Sequence, residues 1–300
     1  MEDLAPYGSA NKCESCKTLI VEGICGCNIE FKHISEPPVD ATLLSRLDQF
    51  IGWSAPSQPT MTGIENDWIH NGYTVIPGLI GDDLIEPYLK LRSPMPDIGW
   101  SAGTPYMQHP EIRNICCNDY LSDVLKRIIG DEMGLHLNLT GWVSTRRAMH
   151  QDDYLNPPFI NSWYAGVWIA LEDIHPDSGP FEMYPGSHRM DFVRMSKVMK
   201  YVPVELRTGS DWVYFSEPWV SKAIENECLK MGLTKIQYLP KKGDVMIWHS
   251  RLAHTGSVPN NPLLKRKSLI AHYSALTKRT DMPHRARNEY PGSQGYYFML

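Results

Sequence analysis

The chain has 300 residues, 42% hydrophobic and 21% charged, so it can bury a sizeable core. Its formal net charge of -5, with no dense Lys/Arg block, argues against nucleic acid as a partner. The acidic N-terminus lacks the apolar core of a secretory signal, and no apolar run is long enough to span a bilayer. We therefore expect a cytoplasmic protein with no membrane partner.

The first 38 residues form a cysteine-rich head that contains the segment KCESCKTLIVEGICGCN. Cys13, Cys16, Cys25 and Cys27 form two pairs around a short predicted hairpin, a pattern suited to tetrahedral zinc. A metal could supply the fold of so short a segment, which cannot bury much core. Reduced free thiols, a cluster or a disulfide are the alternatives. Such a zinc knuckle could dock a protein partner or brace the rest of the chain, residues 39–300.

Helices are predicted in the part of the chain that follows the head. Apolar residues recur at helical spacing in VDATLLSRLDQFIGW, and Asp82 and Asp83 provide an acidic first turn for LIEPYLKL. The segment DYLSDVLKRII carries Leu121, Val124, Leu125 and Ile128 on one face, and Gly130 is a suitable helix stop. The segment GYTVIPG, between these helices, is predicted to be a strand.

From residue 135 onward the sequence is typical of β-structure. The segments LHLNLTGWVSTRRAM, WYAGVWIALED, PFEMYPGSHR, GDVMIWHSRLAH and RKSLIAHYSAL are rich in β-formers and separated by Gly and Pro turns. Short strands in this arrangement favour a double-sheet sandwich or jelly roll, mainly β with flanking helices. Residues 190–239 are less regular, and we predict an insertion there with a helix over about 221–231.

A metal site is indicated by His150-Gln151-Asp152. Residues two apart in a strand point to the same face, so the imidazole and the carboxylate can bind one ion. The best candidate for a third ligand is His254, which we take to close the strand GDVMIWHS; His249 is its main rival. Two histidines and one carboxylate are the ligand set of non-haem Fe(II) oxygenases, although the ligands alone also permit zinc or nickel.

A cation for a dicarboxylate co-substrate is expected twelve residues beyond His254. Arg266 offers a planar, bidentate match to a carboxylate, and Ser268 faces the same side of the strand. The alternative interpretation is an exposed charge, since Lys265 and Lys267 are its neighbours. For His249, His188 and His272 we favour partly buried rings bonded to neighbouring backbone groups.

Taken together, these segments resemble the phytanoyl-CoA dioxygenase family of Fe(II)/2-oxoglutarate-dependent oxygenases. The resemblance spans about residues 72–274. Beyond the His150-Gln151-Asp152 motif it rests on the strand VWIALED, the segments SGP and YPGSH, Gly243-Asp244-Val245, His254 with the loop that follows it, and Arg266-Lys267-Ser268-Leu269 with His272-Tyr273.

The resemblance implies a double-stranded β-helix, or jelly roll, with helices packed against one sheet. It implies that His150, Asp152 and His254 bind Fe(II), and that Arg266, with Ser268, holds the distal carboxylate of 2-oxoglutarate. The activity implied is hydroxylation or another oxidation of an unactivated C–H bond of a small molecule by O2, with release of succinate and CO2. Related halogenases have a small residue where Asp152 stands, so oxygenation is expected here.

The chain departs from the family pattern at two points. The cysteine head is not part of the usual fold, and the loop between His254 and Arg266 is slightly longer than usual, which leaves Lys265 as an alternative to Arg266. Candidate substrate contacts are Arg146 and Arg147, which could instead be solvated or paired charges, and aromatic residues near the iron strands, each of which could instead pack in the core. The aromatic candidates are Trp142, Tyr154, Phe159, Trp163, Tyr164 and Trp248, and the segment IGWSAGTPYMQHP is a candidate lid.

Two other functions fit parts of the same sequence. A non-catalytic jelly-roll binding protein would contain the same three residues by coincidence. An adaptor would use the cysteine head to bind a protein partner and carry an inactive oxygenase domain behind it.

Overall fold

The computed structural model describes residues 61–144, 147–157, 159–160, 162–190, 193–208 and 211–299. The four cysteines of the head and the helix predicted from VDATLLSRLDQFIGW lie outside these residues. The zinc site and the division of the chain at residue 38 therefore stay predictions.

The described strands form two sheets. The large sheet has the order β1-β6-β3-β8-β2-β10-β9 and the small sheet has the order β5-β4-β7. Neighbouring strands are antiparallel except for β2 and β10, which are parallel. The strands are β1 (Tyr73–Ile76), β2 (Met133–Leu139), β3 (Tyr164–Ala170), β4 (Phe181–Met183), β5 (Ile236–Tyr238), β6 (Val245–His249), β7 (His254–Gly256), β8 (Ser268–Ala275), β9 (Arg285–Arg287) and β10 (Tyr296–Phe298).

The two faces of the large sheet have different partners. Val167 of β3 pairs with Ala271 of β8 and Ile247 of β6, and these side chains join the core beneath the helices. The next residue, Trp168, points the other way and packs with Trp248 and Phe181 between the sheets. This arrangement confirms the predicted jelly roll, mainly β with flanking helices.

The helices cover the outer face of the large sheet and form the insertion. Those described are α1 (Met61–Asn71), α2 (Asp82–Arg92), α3 (Pro110–Cys116), α4 (Asp119–Ile129), α5 (Met195–Val198) and α6 (Asp211–Lys230). The start of α4 is capped by the Asn118 side chain, which accepts from the N–H of Leu121, and Gly130 ends it with a φ of 91°. In the described ranges no helix has the length and apolarity needed to cross a membrane.

Strand β2 is shorter than the sequence predicts, because it ends at Leu139 rather than continuing toward Met149. The buried Arg92 guanidinium donates from Nε to the carbonyl of Thr140 over 3.0 Å. The Thr140 hydroxyl accepts from the N–H of Trp100 over 3.0 Å. Both groups of Thr140 are therefore held by other segments, and the chain leaves the sheet there.

The insertion is more helical than predicted. The expected helix over 221–231 is α6, Asp211–Lys230, which starts ten residues earlier and contains Pro218. Proline disfavours a helix interior, but Pro218 lies on the exposed face, while Trp212 and Trp219 are buried in a cluster with Tyr154. Burial of the two indoles therefore outweighs the local preference.

Candidate metal centre and cavity

Three side chains converge where the two sheets meet. His150 and His254 form an antiparallel bridge, with N–H···O distances of 3.0 and 2.9 Å in the two directions. The nearest Asp152 oxygen, Oδ1, lies 3.6 Å from Nε2 of His150 and 3.7 Å from Nε2 of His254. One ligand atom from each residue lies within 4.8 Å of the other two. This spacing can place all three on one metal ion.

The position of His254 differs in one respect from the prediction. The strand GDVMIWHS ends as β6 at His249, and the chain then turns, so that His254 begins β7 in the small sheet. His150 lies opposite His254 rather than at the end of β2. The two imidazoles therefore lie side by side on paired segments, with ring centroids 4.2 Å apart.

Each of the three side chains is oriented by a hydrogen bond to a group outside the cluster. Nδ1 of His150 donates to the carbonyl of Ala148 over 2.8 Å, and Nδ1 of His254 donates to that of Leu252 over 2.9 Å. Both Nε2 atoms are thereby left with a lone pair. Oδ2 of Asp152 accepts from the Trp248 indole N–H over 2.9 Å, which leaves Oδ1 toward the imidazoles.

The charge state of the cluster suits a divalent cation. Burial lowers the pKa of His150 and of His254, so both rings are neutral near pH 7. Burial alone would raise the pKa of Asp152, but His254, His272 and His150 and the Trp248 hydrogen bond bring it to about 2. Neutral imidazoles and an ionised carboxylate are the forms that bind metal.

The loop that carries His150 and Asp152 is tied to the loop that carries His254. The N–H groups of Asp152 and Asp153 donate to the carbonyl of Ser250 over 2.7 and 3.1 Å. The side chain of Gln151 donates to the carbonyl of Arg251 over 2.7 Å and accepts from the N–H of Val193 over 3.3 Å. These bonds fix the distance between the two histidines and connect the site to the insertion.

The three residues open into a cavity of about 580 Å3. Its wall beside them includes Trp248, Ile270 and Phe181, whose ring stacks on that of His254 at 5.0 Å. Gly103 and Thr104 also line it, so the loop that sequence reasoning took as a candidate lid borders the cavity.

Arg266 lines the same cavity and is 3% exposed. One guanidinium nitrogen, Nη1, donates to the carbonyl of Gly179 over 2.7 Å, while Nε has no hydrogen-bond partner in the described structure. Burial lowers the pKa of Arg266 to about 10, so it stays a cation near pH 7. Ser268 Oγ is also buried and without a partner among the described residues, although Ser268 is not a lining residue.

A buried cation without a carboxylate partner suits the distal end of a dicarboxylate. Lys265, the alternative to Arg266, pairs instead with Asp97 at 2.7 Å, half exposed on the surface. His249, the rival ligand, points to the opposite face of β6 and packs against Trp68 and His188. Its Nδ1 accepts from the N–H of Arg251 over 3.0 Å.

The aromatic residues suggested as substrate contacts divide into two groups. Trp248 and Tyr164 line the cavity. Tyr154 instead packs edge-on against Trp212 of the insertion, and Trp163 lies under the ammonium group of Lys278. Trp142 packs against Arg92, and Phe159 is 49% exposed.

One of the two arginines suggested as substrate contacts lies in the described part of the chain. Arg147 lines the cavity and pairs with Glu217 of α6 at 2.9 Å. Arg146 lies outside the described residues.

The polar residues of the cavity wall that sequence reasoning missed include His136, His272 and Arg279. We had expected His272 to bond to the backbone. Its Nδ1 instead shares a hydrogen bond with the Tyr164 hydroxyl, and its Nε2 has no partner in the described structure. His272 lies an even number of residues from Arg266 and Ser268, so strand alternation could have predicted that it points to the same face of the strand. His136 and Arg279 have no comparable local motif.

A family model supports the same conclusion from the sequence as a whole. Residues 91–261, more than half of the chain, match the model of the family described as phytanoyl-CoA dioxygenase (PhyH). The chain belongs to the phytanoyl-CoA dioxygenase family. As a member of this family it is a 2-oxoglutarate-dependent oxygenase, and thus an oxidoreductase. The comparison with curated proteins gives no match.

Solved structures share the fold of this family member. EctD from S. alaskensis, in its apo form, gives a TM-score of 0.56 at 16% identity, over 85% of this chain and 87% of EctD. The epimerase SnoN, in complex with Fe3+, alpha-ketoglutarate and nogalamycin RO, gives 0.52 at 15% identity, over 72% of this chain and 84% of SnoN. The carbocyclase SnoK from nogalamycin biosynthesis gives 0.51 at 18% identity, over 74% and 88%. At such identities the likeness shows a common fold.

Proposed function

We propose that the protein is an Fe(II)/2-oxoglutarate-dependent dioxygenase that oxidises an unactivated C–H bond of a small-molecule substrate, releasing succinate and CO2. In this proposal His150, Asp152 and His254 bind the iron, and Arg266, with Ser268 beside it, binds the distal carboxylate of 2-oxoglutarate. The observation that carries the proposal is a buried two-histidine, one-carboxylate cluster that shares a single cavity with a buried arginine, which has no carboxylate partner among the described residues.

The residues present fit both groups. Two imidazoles and one carboxylate are the ligand set of non-haem Fe(II) oxygenases, and they leave coordination positions open. Nε of Arg266 and Oγ of Ser268 have no hydrogen-bond partner in the part of the chain that the structure describes, and they supply donors that a carboxylate would satisfy. EctD has been solved with 2-oxoglutarate and 5-hydroxyectoine, and SnoN with alpha-ketoglutarate, which agrees with the assignment of the co-substrate.

When bound, iron and 2-oxoglutarate together supply the oxidation by O2, and the chain's own residues bind, orient and exclude water. Trp248 holds the Asp152 carboxylate in one orientation, and the backbone carbonyls of Ala148 and Leu252 hold the two imidazoles. Phe181, Ile270 and Trp248 provide apolar walls that keep water from this end of the cavity. The remaining volume would receive the substrate.

The proposal is tested by preparing the protein without oxygen and adding Fe(II) and 2-oxoglutarate. We expect a charge-transfer absorption band, and succinate on exposure to O2. His254→Gln should lose stoichiometric iron, the band and succinate, whereas His249→Gln should retain all three because His249 lies on the other face of β6. Equal loss of iron in both variants, or full iron binding in His254→Gln, would contradict the ligand assignment.

A further inference from the structure

A second buried arginine lines the cavity. Arg279 is 5% exposed and follows β8 by four residues. Its side chain forms an ion pair from Nε to Oδ1 of Asp281 at 3.2 Å and a contact from Nη2 to Sδ of Met282 at 3.2 Å. Arg266, by contrast, contacts Gly179 and the ring of Trp168. Among the described residues the two guanidinium groups contact different partners, so they form separate cationic positions in one cavity.

The wall around Arg279 is polar but uncharged. His136 and Tyr164 line the cavity together with Arg279, and their rings lie 5.7 Å apart. Tyr164 in turn contacts His272, with ring centroids 5.6 Å apart. Burial lowers the pKa of His136 well below its usual range and that of His272 to about 4, so neither ring is charged near pH 7.

Hydrogen-bonding capacity remains open on this wall. Nε2 of His272 is buried and has no partner in the described structure, and such a group costs free energy unless a ligand or water satisfies it. The carboxylate paired with Arg279 belongs to Asp281, whose side chain is 36% exposed. The acid is therefore partly open to solvent, whereas Arg279 is buried and lines the cavity. Asp152, which we assign to the metal, is the only acidic residue among the described residues that line the cavity.

We propose that Arg279 binds an anionic group of the substrate and that His272, His136 and Tyr164 hydrogen-bond to the rest of its polar part. This inference rests on the proposed function, because the site lies in the cavity assigned to Fe(II) and 2-oxoglutarate. It narrows the substrate to a small, polar, anionic molecule, as opposed to a plain hydrocarbon chain. The anionic group is a carboxylate or a phosphate ester, both of which a guanidinium binds.

The competing explanation is that Arg279 and Asp281 form an ion pair that only closes the turn after β8. The two explanations differ in what Asp281 does to an added anion. If Arg279 binds a substrate anion, Asp281 competes with that anion, and neutralising Asp281 strengthens anion binding. If the pair is only structural, removing either charge lowers stability and leaves anion binding unchanged.

Equilibrium dialysis tests the proposal on the whole protein, loaded without oxygen with Fe(II) and saturating 2-oxoglutarate. The probes are radiolabelled propionate and methyl phosphate, with propionamide as the uncharged control. The proteins are the wild type, Arg279→Gln and Asp281→Asn. The charge-transfer band is recorded before and after each anion is added, so that displacement of 2-oxoglutarate is seen directly.

We expect the wild type to bind at least one anion and not the amide. Arg279→Gln should weaken that binding about tenfold or more, as expected for the loss of a charge-assisted bond, and Asp281→Asn should tighten it severalfold. The anion that binds better identifies the carboxylate or the phosphate class.

Binding of neither anion by the wild type, equal binding of the amide, or binding that is unchanged in Arg279→Gln would overturn the proposal. If Arg279→Gln fails to fold, Asp281→Asn decides, since binding no tighter than in the wild type also overturns it. Failure of the band to form before any anion is added would instead contradict the proposed function.

Discussion

The indole N–H of Trp248 donates a hydrogen bond of 2.9 Å to Oδ2 of Asp152, so a residue of the large sheet orients the carboxylate of the proposed metal site. Trp248 lies in β6 and Asp152 in the loop after residue 150, and both are buried. This bond fixes which oxygen of Asp152 faces the two histidines. Its removal should weaken metal binding without changing any ligand.

Trp248→Phe tests this relationship because it retains an aromatic ring and removes the donor. We expect Fe(II) affinity to fall by roughly 10–100-fold, the usual effect of losing a partner that orients a metal ligand. The measurement is a competitive titration of Fe(II) under anaerobic conditions. Trp68→Phe is the matched control, because the Trp68 indole N–H is buried in the core beneath the helices and has no partner in the described structure. Equal affinities in wild type and Trp248→Phe would contradict the prediction.

Gly166 provides the space in which Trp248 lies. A Cβ at this position would lie 2.1 Å from two atoms of the indole, and the ring is buried and cannot move aside easily. Gly166→Ala should therefore lower the free energy of unfolding by ~1–3 kcal/mol, as overpacking does. It should also weaken Fe(II) binding, because the displaced indole no longer reaches Asp152.

Gly63→Ala is the control for the added methyl group. A Cβ at Gly63 meets nothing within 4 Å, and the residue lies in α1, where alanine is favoured. We expect its free energy of unfolding to stay the same or rise by up to ~1 kcal/mol. Chemical denaturation measures the free energy of unfolding of both variants. A Gly166→Ala protein as stable as the wild type would refute the steric argument.

The sequence was sufficient where structure depends on local spacing. The apolar face of α4 and its stop at Gly130 could each be recognised within a few residues. The proximity of His150 and Asp152 could be recognised as well, although the two lie in a loop and not in the strand that the spacing predicts. The sequence was insufficient where the structure depends on a contact between residues that lie far apart in the chain. The end of β2 depends on Arg92 reaching Thr140, 48 residues away, and the pairing of Tyr164 with His272 spans 108 residues.

The polar wall of the cavity shows the same limit. The spacing of His272 from Arg266 and Ser268 indicates a shared strand face, but its partner there, Tyr164, is brought to it by the pairing of β3 with β8. Arg279 lies beyond β8 in a turn whose path no sequence pattern indicates. Long-range strand pairing therefore determines the part of the site that would select a substrate.

Arg266 and Lys265 are adjacent in sequence but lie in different environments, which gives a test of the co-substrate site. Arg266 is buried in the cavity wall, whereas the Lys265 ammonium group pairs with Asp97 at the surface. Arg266→Gln should raise the dissociation constant for 2-oxoglutarate by roughly 10–100-fold, since it removes a charge-assisted bond of ~1.5–3 kcal/mol. Lys265→Gln should leave it unchanged.

Calorimetric titration of 2-oxoglutarate into the anaerobic Fe(II) protein measures both constants. A larger effect of Lys265→Gln than of Arg266→Gln would mean that the longer loop shifts the cationic position by one residue. Equal, small effects would indicate that neither side chain binds the carboxylate.

The buried ring of His188 should make the fold sensitive to acid. Its Nε2 donates to the carbonyl of Ile69 over 2.9 Å, and a Cβ on Gly72 would lie only 2.4 Å from Nδ1, which has no partner in the described structure. A proton on Nδ1 would find no acceptor there. Burial accordingly lowers the pKa of His188 from 6.5 to about 4, against the smaller opposing effect of the Ile69 bond.

The sign of the effect follows from proton uptake. Below pH 6.5 the unfolded chain binds a proton at His188 that the folded chain does not, so the free energy of unfolding falls as the pH drops from 6.5 to about 4. The contribution of this one residue is roughly 3 kcal/mol over that range. His188→Gln keeps a donor for the carbonyl of Ile69 and cannot titrate. Its free energy of unfolding should therefore fall less steeply with decreasing pH than that of the wild type, and the difference in slope corresponds to the uptake of about one proton. Urea unfolding of both metal-free proteins across this range measures the difference, and parallel curves would show that His188 is not the residue responsible.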